Sequence, residues 1–134
     1  MSVEFSLPLR VYIEDTDAGG IVYYVNYLKY FERARTELMR SRGFARAALP
    51  ADGLQFVVSA LRVDYRAPAR LDDMLEVAAT VTAVGAATVT FEQQAKRGDT
   101  VLVTANVLIA LVDALTGRPR RLPTELRASL VGAV

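Results

Sequence analysis

The chain has 134 residues, 52% of them hydrophobic, and a net charge of +1 from 16 basic and 15 acidic side chains. That length suggests one domain, residues 1–134, large enough to fold without a disulfide or a metal. The charge balance excludes a general nucleic-acid binder and leaves room only for a local anion-binding patch.

The first predicted element is a strand over residues 3–13, "VEFSLPLRVYI", whose Pro8 implies a sheet edge or a bulge. Residues 15–20 form a loop. A helix follows over residues 24–42, with Tyr24, Tyr27, Leu28, Phe31, Ala34, Leu38 and Met39 near a 3.6-residue period and Gly43 as its stop signal. Residues 44–55 connect it to the second strand with some helical character. "FVVSALRVDYRA" places Leu61, Val63 and Tyr65 on one face and Arg62, Asp64 and Arg66 on the other. Three more strands follow. In 74–84, Leu75, Val77, Ala79, Val81 and Ala83 alternate against Glu76, Thr80 and Thr82. In 87–97, Val89 and Phe91 alternate against Thr88, Thr90 and Glu92, and 100–113 is almost continuously apolar. Turns at Asp72-Asp73, Gly85 and Gly98-Asp99 make these three an antiparallel meander. The tail reads as a short helix opened by Thr124. One long helix and one antiparallel sheet must cover each other's apolar faces, which gives an α+β fold with the sheet curled round the helix. The high apolar content suits a thin domain that hides further surface between subunits.

There is no His, Cys or Trp. Ser-His-Asp and Cys-His triads within one chain are therefore excluded, as are thiolate and imidazole zinc sites. An enzyme of this composition works with a carboxylate, a Tyr or a Lys. No metal or prosthetic group is expected. The N-terminus lacks a signal pattern and no run of about 18 apolar residues appears, so a cytosolic protein with no membrane insertion is expected.

The segment "EDTDAGGIVYYVNYLKYFERARTEL" is over-specified for a turn. A helix N-terminus offers unpaired N–H groups and partial positive charge, a place for an anion or a developing oxyanion. Asp17 beside it supplies a carboxylate, and Gly19 and Gly20 let a ligand approach the backbone. Asp and Gly before a helix are also ordinary turn and capping residues.

"VYIEDTDAGGIVYYVNYLKYFERARTELMR", with "VDYRAPARLDDMLEV" and "LVDALTGRPRRLP", resembles the 4-hydroxybenzoyl-CoA thioesterase family of hotdog-fold proteins, in the branch of bacterial acyl-CoA thioesterases associated with the Tol-Pal system. The resemblance implies a hotdog fold, with an antiparallel sheet of about five strands round one long central helix. It also implies assembly as a dimer or dimer of dimers, and hydrolysis of an acyl-CoA thioester in which CoA is part of the substrate. By position it puts the catalytic aspartate on Asp17 and the backbone N–H that polarises the thioester carbonyl on Tyr24. Many acyl-CoA members carry a histidine where this chain has Tyr24, and an N–H does not depend on the side chain. A thiol leaving group of pKa ~8.5 needs little protonation, so one carboxylate and a polarised carbonyl suffice. Asp17 acts either as a nucleophile or as a general base on water.

Glu32, two helical turns past Tyr24, falls where the aromatic branch reads the acyl group; helix spacing also allows a pair with Arg35. Glu14 and Asp15 read as solvated turn residues. Arg118, Arg120 and Arg121 of "GRPRR" suit the phosphates of CoA, with Arg62, Arg66 and Arg70 as weaker candidates. Arg97-Gly98-Asp99 reads as a hairpin turn, not an adhesion signal. A hotdog dehydratase or isomerase ranks lower, since such enzymes rely on a His. The alternative from another class is a non-catalytic acyl-CoA-binding or scaffold protein.

Overall fold

A computed structural model describes residues 4–44 and 52–131. Five strands and two helices follow in chain order: β1 (Glu4–Arg10), α1 (Asn26–Ser41), β2 (Leu54–Tyr65), β3 (Met74–Val84), β4 (Thr88–Arg97), β5 (Thr100–Asp113) and α2 (Thr124–Val131). The strands form one antiparallel sheet in the order β1-β3-β4-β5-β2, wrapped on α1 in the hotdog arrangement. Pro8 sits on edge strand β1, where its missing N–H is tolerated. Residues 11–12 leave the strand, and Ile13–Asp15 make a single 3-10 turn.

The helix begins two residues later than its pattern suggests, because Tyr24 and Val25 form a turn ahead of it. Its buried stripe is Tyr27, Tyr30, Phe31, Ala34, Arg35, Leu38 and Met39. It packs on the inward residues of the meander, including Leu75, Val77, Phe91, Ala95, Val107 and Leu111. Gly43 ends the helix at φ 98°, a left-handed conformation that glycine adopts without strain. β3 and β5 lie over the expected residues. A bulge between Val81 and Ala83 turns Ala83 outward, against the alternation. Most of the connection after α1 lies outside the described residues, and Leu54 and Gln55 already belong to β2.

β2 departs furthest from the sequence pattern. It is an edge strand: Leu54, Phe56 and Val63 pack against the core, but Val58 is 52% exposed and Val57, Leu61 and Tyr65 are also open. Beside it a groove of about 130 Å³ is lined by Glu32, Arg35, Thr36, Met39, Phe56 and Val58, among others. Arg35 is only 8% exposed. It does not pair with Glu32, whose carboxylate accepts the Thr36 hydroxyl at 3.2 Å. Arg35 instead donates to Gln93 Oε1 at 2.8 Å, while Gln93 Nε2 donates to the Phe31 carbonyl at 3.0 Å. That link spans helix and sheet and explains a Gln on the core face of β4.

The β2–β3 turn ties three strands together. Asp72 holds φ 71°, and its carbonyl accepts from Arg10 at 2.7 Å. Asp73 Oδ2 accepts the Arg70 N–H at 2.9 Å and Arg97 at 2.7 Å. Partial burial pushes the Asp73 carboxyl pKa up, but the Arg70 N–H and the Arg97 guanidinium outweigh it, and the net shift is downward. A depressed carboxylate pKa stabilises the fold above the ordinary Asp range, and that stability is lost as pH falls through the folded value. Asp73→Asn is therefore expected to lower Tm at pH 7 by roughly 4 °C, for a loss of about 1 kcal/mol at a half-exposed pair. The deficit should shrink when melting is repeated near pH 3; a deficit independent of pH would assign it to packing.

Candidate active site

The loop before α1 is built by its own backbone. Asp17 N–H donates to the Ile21 carbonyl at 2.9 Å, Gly20 N–H donates to the Asp17 carbonyl at 3.0 Å, and Thr16 pairs with Val22 across it. Gly20 holds φ 77°, and a Cβ there would meet open space, so its glycine serves the turn. Gly19 is different: a Cβ on it would lie 3.3 Å from Asp17 Oδ1. The Gly19 N–H donates to that same oxygen at 2.8 Å, which anchors one oxygen of the exposed carboxylate and leaves Oδ2 without a hydrogen bond among the described residues.

Asp15 fastens this loop to the helix. Its carbonyl accepts the Tyr23 N–H at 3.0 Å and Asn26 Nδ2 at 2.8 Å, and its Oδ2 accepts the Tyr12 N–H at 2.8 Å. The expectation of a merely solvated Asp15 is corrected: it is half-buried and braces the turn. Asn26, the first helical residue, carried a readable signal as a capping type; the Asp15 carbonyl carried none. Val22 N–H donates to the Ala69 carbonyl at 2.9 Å, and Ile21 bridges to Arg70, so the loop is sewn to the β2–β3 connection.

Among the described residues, no backbone carbonyl takes the Tyr24 N–H. It stands ahead of the first helical turn, where unpaired donors carry partial positive charge. A cleft of about 300 Å³ opens beside it, lined by Ile21, Val22, Tyr24, Tyr27, Tyr65 and Arg66, among others. Tyrosines form its wall. Tyr24 packs edge-on against Tyr23 at 5.0 Å and Tyr65 at 6.1 Å, and Tyr65 lies 5.8 Å from Tyr27. The Tyr65 hydroxyl donates to the Tyr24 carbonyl at 3.0 Å, and the Tyr27 hydroxyl accepts the Ala69 N–H at 3.0 Å. Burial raises the pKa of Tyr27 and Tyr65, and burial together with the Asp15 carboxylate raises that of Tyr30. These phenols are neutral at pH 7.

The structure sets Asp17, Gly19 and Gly20 in one turn and ties it, through the Tyr23 N–H on the Asp15 carbonyl, to the backbone next to Tyr24, while the cleft beside Tyr24 is lined by neither Asp17 nor the two glycines. It does not bring Glu32 or the basic turn to them within one chain. Glu32 lies along α1 in the groove under β2, about 12 Å from Tyr24 at 1.5 Å per helical residue. The basic turn is further still. Val103 of β5 pairs with Tyr65, whereas the Arg120 N–H donates to the Leu111 carbonyl. Val103 to Leu111 covers about 26 Å at roughly 3.3 Å per strand residue. Within that turn Arg120 pairs with Asp113 at 3.2 Å, and Arg121 lines a separate groove with Thr124 and Arg127. Of the weaker arginines, Arg66 lines the Tyr24 cleft, Arg62 pairs with Asp64, and the Arg70 N–H is taken by Asp73.

No group of three or more His, Cys, Asp or Glu among the described residues is arranged to hold a metal, and no helix among them is long and apolar enough to cross a membrane. The thioesterase superfamily model matches residues 19–108. The acyl-CoA thioester hydrolase YbgC of Escherichia coli O6:H1 is 46% identical over 125 residues, 92% of this chain and 93% of that protein. The acyl-CoA thioesterase YbgC of Haemophilus influenzae is 46% identical over 126 residues, 93% of each chain. A crystal structure of a probable thioesterase from Bartonella henselae superposes with a TM-score of 0.83 at 38% identity, covering 90% of this chain and 99% of that one. With the family model spanning residues 19–108 and these relatives in agreement, the chain belongs to the thioesterase superfamily.

Proposed function

We infer that the protein is an acyl-CoA thioester hydrolase of the cytoplasm, working with Asp17 and the Tyr24 N–H and with no metal or prosthetic group. The observation that carries this reading is Asp17 itself: one oxygen is held by the Gly19 N–H, and its loop is tied through the Asp15 carbonyl to Tyr23, next to a Tyr24 N–H that no backbone carbonyl takes among the described residues. The substrate carbonyl oxygen accepts the Tyr24 N–H, which stabilises the negative charge of the tetrahedral adduct. In the nucleophilic route, Asp17 Oδ2 forms a bond to the thioester carbon and the C–S bond breaks. The CoA thiolate leaves with the electron pair, and an acyl-aspartyl anhydride remains. Water then adds to the acyl carbon, releasing the free acid and the Asp17 carboxylate, and its proton passes to the thiolate or to solvent. In the general-base route, Asp17 takes a proton from the water that attacks directly. Gly19 and Gly20 shape the loop at the substrate; Glu32 reads the acyl group; Arg118, Arg120 and Arg121 meet the CoA phosphates.

The separation of the basic turn from Asp17 supports a homo-oligomer. The edge of β2 is open, apolar and 12 residues long. An antiparallel copy paired there sets the Leu54 end of one chain beside the Tyr65 end of the other. The basic turn, next to Leu54 through the Leu54–Asp113 pair, then approaches the partner's Asp17 loop. Two such dimers give the tetramer expected for the family resemblance.

The experiment is CoA release, followed with a thiol-reactive dye, over a panel of acyl- and aroyl-CoA esters. Rapid release from any member is the expected result and names the acyl class. No release from a folded protein across the panel would overturn the hydrolase in favour of an acyl-CoA-binding or scaffold protein.

A further inference from the structure

Tyr65 is the last residue of β2, and its ring stands between those of Tyr24 and Tyr27. It is 47% exposed, so its hydroxyl is free to bond water. It donates instead to the Tyr24 carbonyl at 3.0 Å, from 41 residues away in sequence. Tyr24 lies in a turn ahead of α1, closed by the Asn26 N–H on the Tyr23 carbonyl at 2.8 Å, which holds the peptide that carries the Tyr24 N–H. On its N-terminal side, the Tyr23 N–H is held by the Asp15 carbonyl. On its C-terminal side, the contact with Tyr65 is the only hydrogen bond to the Tyr24 carbonyl among the described residues. Tyr24 is thus held from both sides, once by the catalytic loop and once by a tyrosine from the sheet.

We propose that Tyr65 is a positioning residue: by holding the Tyr24 carbonyl it ties the Tyr23–Asn26 turn to the sheet and so fixes where that turn presents the Tyr24 N–H to the substrate carbonyl. This rests on the thioesterase reading above. The hydroxyl touches no reacting atom; it sets the direction of a donor that does. A donor turned away from the developing oxyanion loses most of its effect, and a single such donor is worth about 10²- to 10³-fold in rate. Partial misorientation accounts for a smaller part of that. The ring, which walls the cleft, is a separate contribution and belongs to binding.

The test separates the two. Tyr65→Phe keeps the ring and removes the hydroxyl. Its kcat is expected to fall about tenfold or more, with KM within about twofold and Tm unchanged. Tyr65→Leu removes the ring as well and is expected to raise KM in addition. In an Asp17→Asn background, where turnover is slow enough to observe bound substrate, the thioester carbonyl stretch is expected to lie below its value in water. Adding Tyr65→Phe should move it back towards that value. Unchanged kcat in Tyr65→Phe, or an equal loss in kcat and Tm with no movement of the carbonyl band, would overturn the proposal. Wild-type protein that releases no CoA would overturn the hydrolase itself and this role with it, a result distinct from a failure at Tyr65 alone.

Discussion

Asp17→Asn is expected to cut kcat about a thousandfold, roughly 4 kcal/mol at 1.36 kcal/mol per tenfold, while leaving the fold intact. Asn keeps an oxygen to accept the Gly19 N–H, the bond of 2.8 Å that shapes the loop. It has no free carboxylate oxygen to attack or to take a proton. The remaining turnover reports what the helix N-terminus achieves by polarisation alone. Far-UV circular dichroism and Tm should match wild type. Near-normal hydrolysis would remove Asp17 from the mechanism. Label in Asp17 of the wild type after many turnovers in ¹⁸O water would establish an anhydride opened at its aspartyl carbon; an unlabelled Asp17 fits both the general-base route and an anhydride opened at its acyl carbon.

Val58→Arg is expected to produce a folded monomer with activity reduced by at least two orders of magnitude. Val58 sits near the middle of β2 and is half open in one chain, so a charge there costs the isolated fold little. Across a two-fold axis the same substitution sets two arginines against each other in an apolar contact. Loss of the dimer strands each Asp17 loop about 26 Å from the nearest basic turn, by the strand rise already given. Sedimentation velocity gives the mass and dye-coupled CoA release gives the rate. A dimer that persists would place the interface elsewhere; an active monomer would show that one chain holds a complete site.

The meander was legible because β3 and β5 carry dense apolar patterns bounded by Asp72-Asp73, Gly85 and Gly98-Asp99, and local chemistry decides such strands. The helix was legible from its stripe, although not its first turn, since Tyr24 and Val25 fit the period without joining the ladder. β2 was misread on its faces for a definite reason. Alternation puts Leu61, Val63 and Tyr65 on one side but does not say how far that side is covered: Val63 packs against the core, while Leu61 and Tyr65 stay 43% and 47% exposed at the edge of the sheet. The Glu32–Arg35 pair failed likewise: helix spacing permits it, and Gln93, 58 residues away, takes the guanidinium instead. The Asp17–Gly20 loop was readable as a motif. Asp15 and Tyr65 were not, because each acts through a backbone carbonyl brought near by the fold, and carbonyls leave no mark on sequence.

The bracing of the loop through the Asp15 carbonyl has a kinetic meaning. Tyr23 and Asn26 both donate to that one oxygen, so loop and helix move as one body. A loop held this way has little to rearrange as charge builds on the substrate. The site's waiting time then belongs to the departure of acid and CoA. Turnover should slow in proportion to solvent viscosity for the esters it hydrolyses fastest, and ignore viscosity for the slow ones.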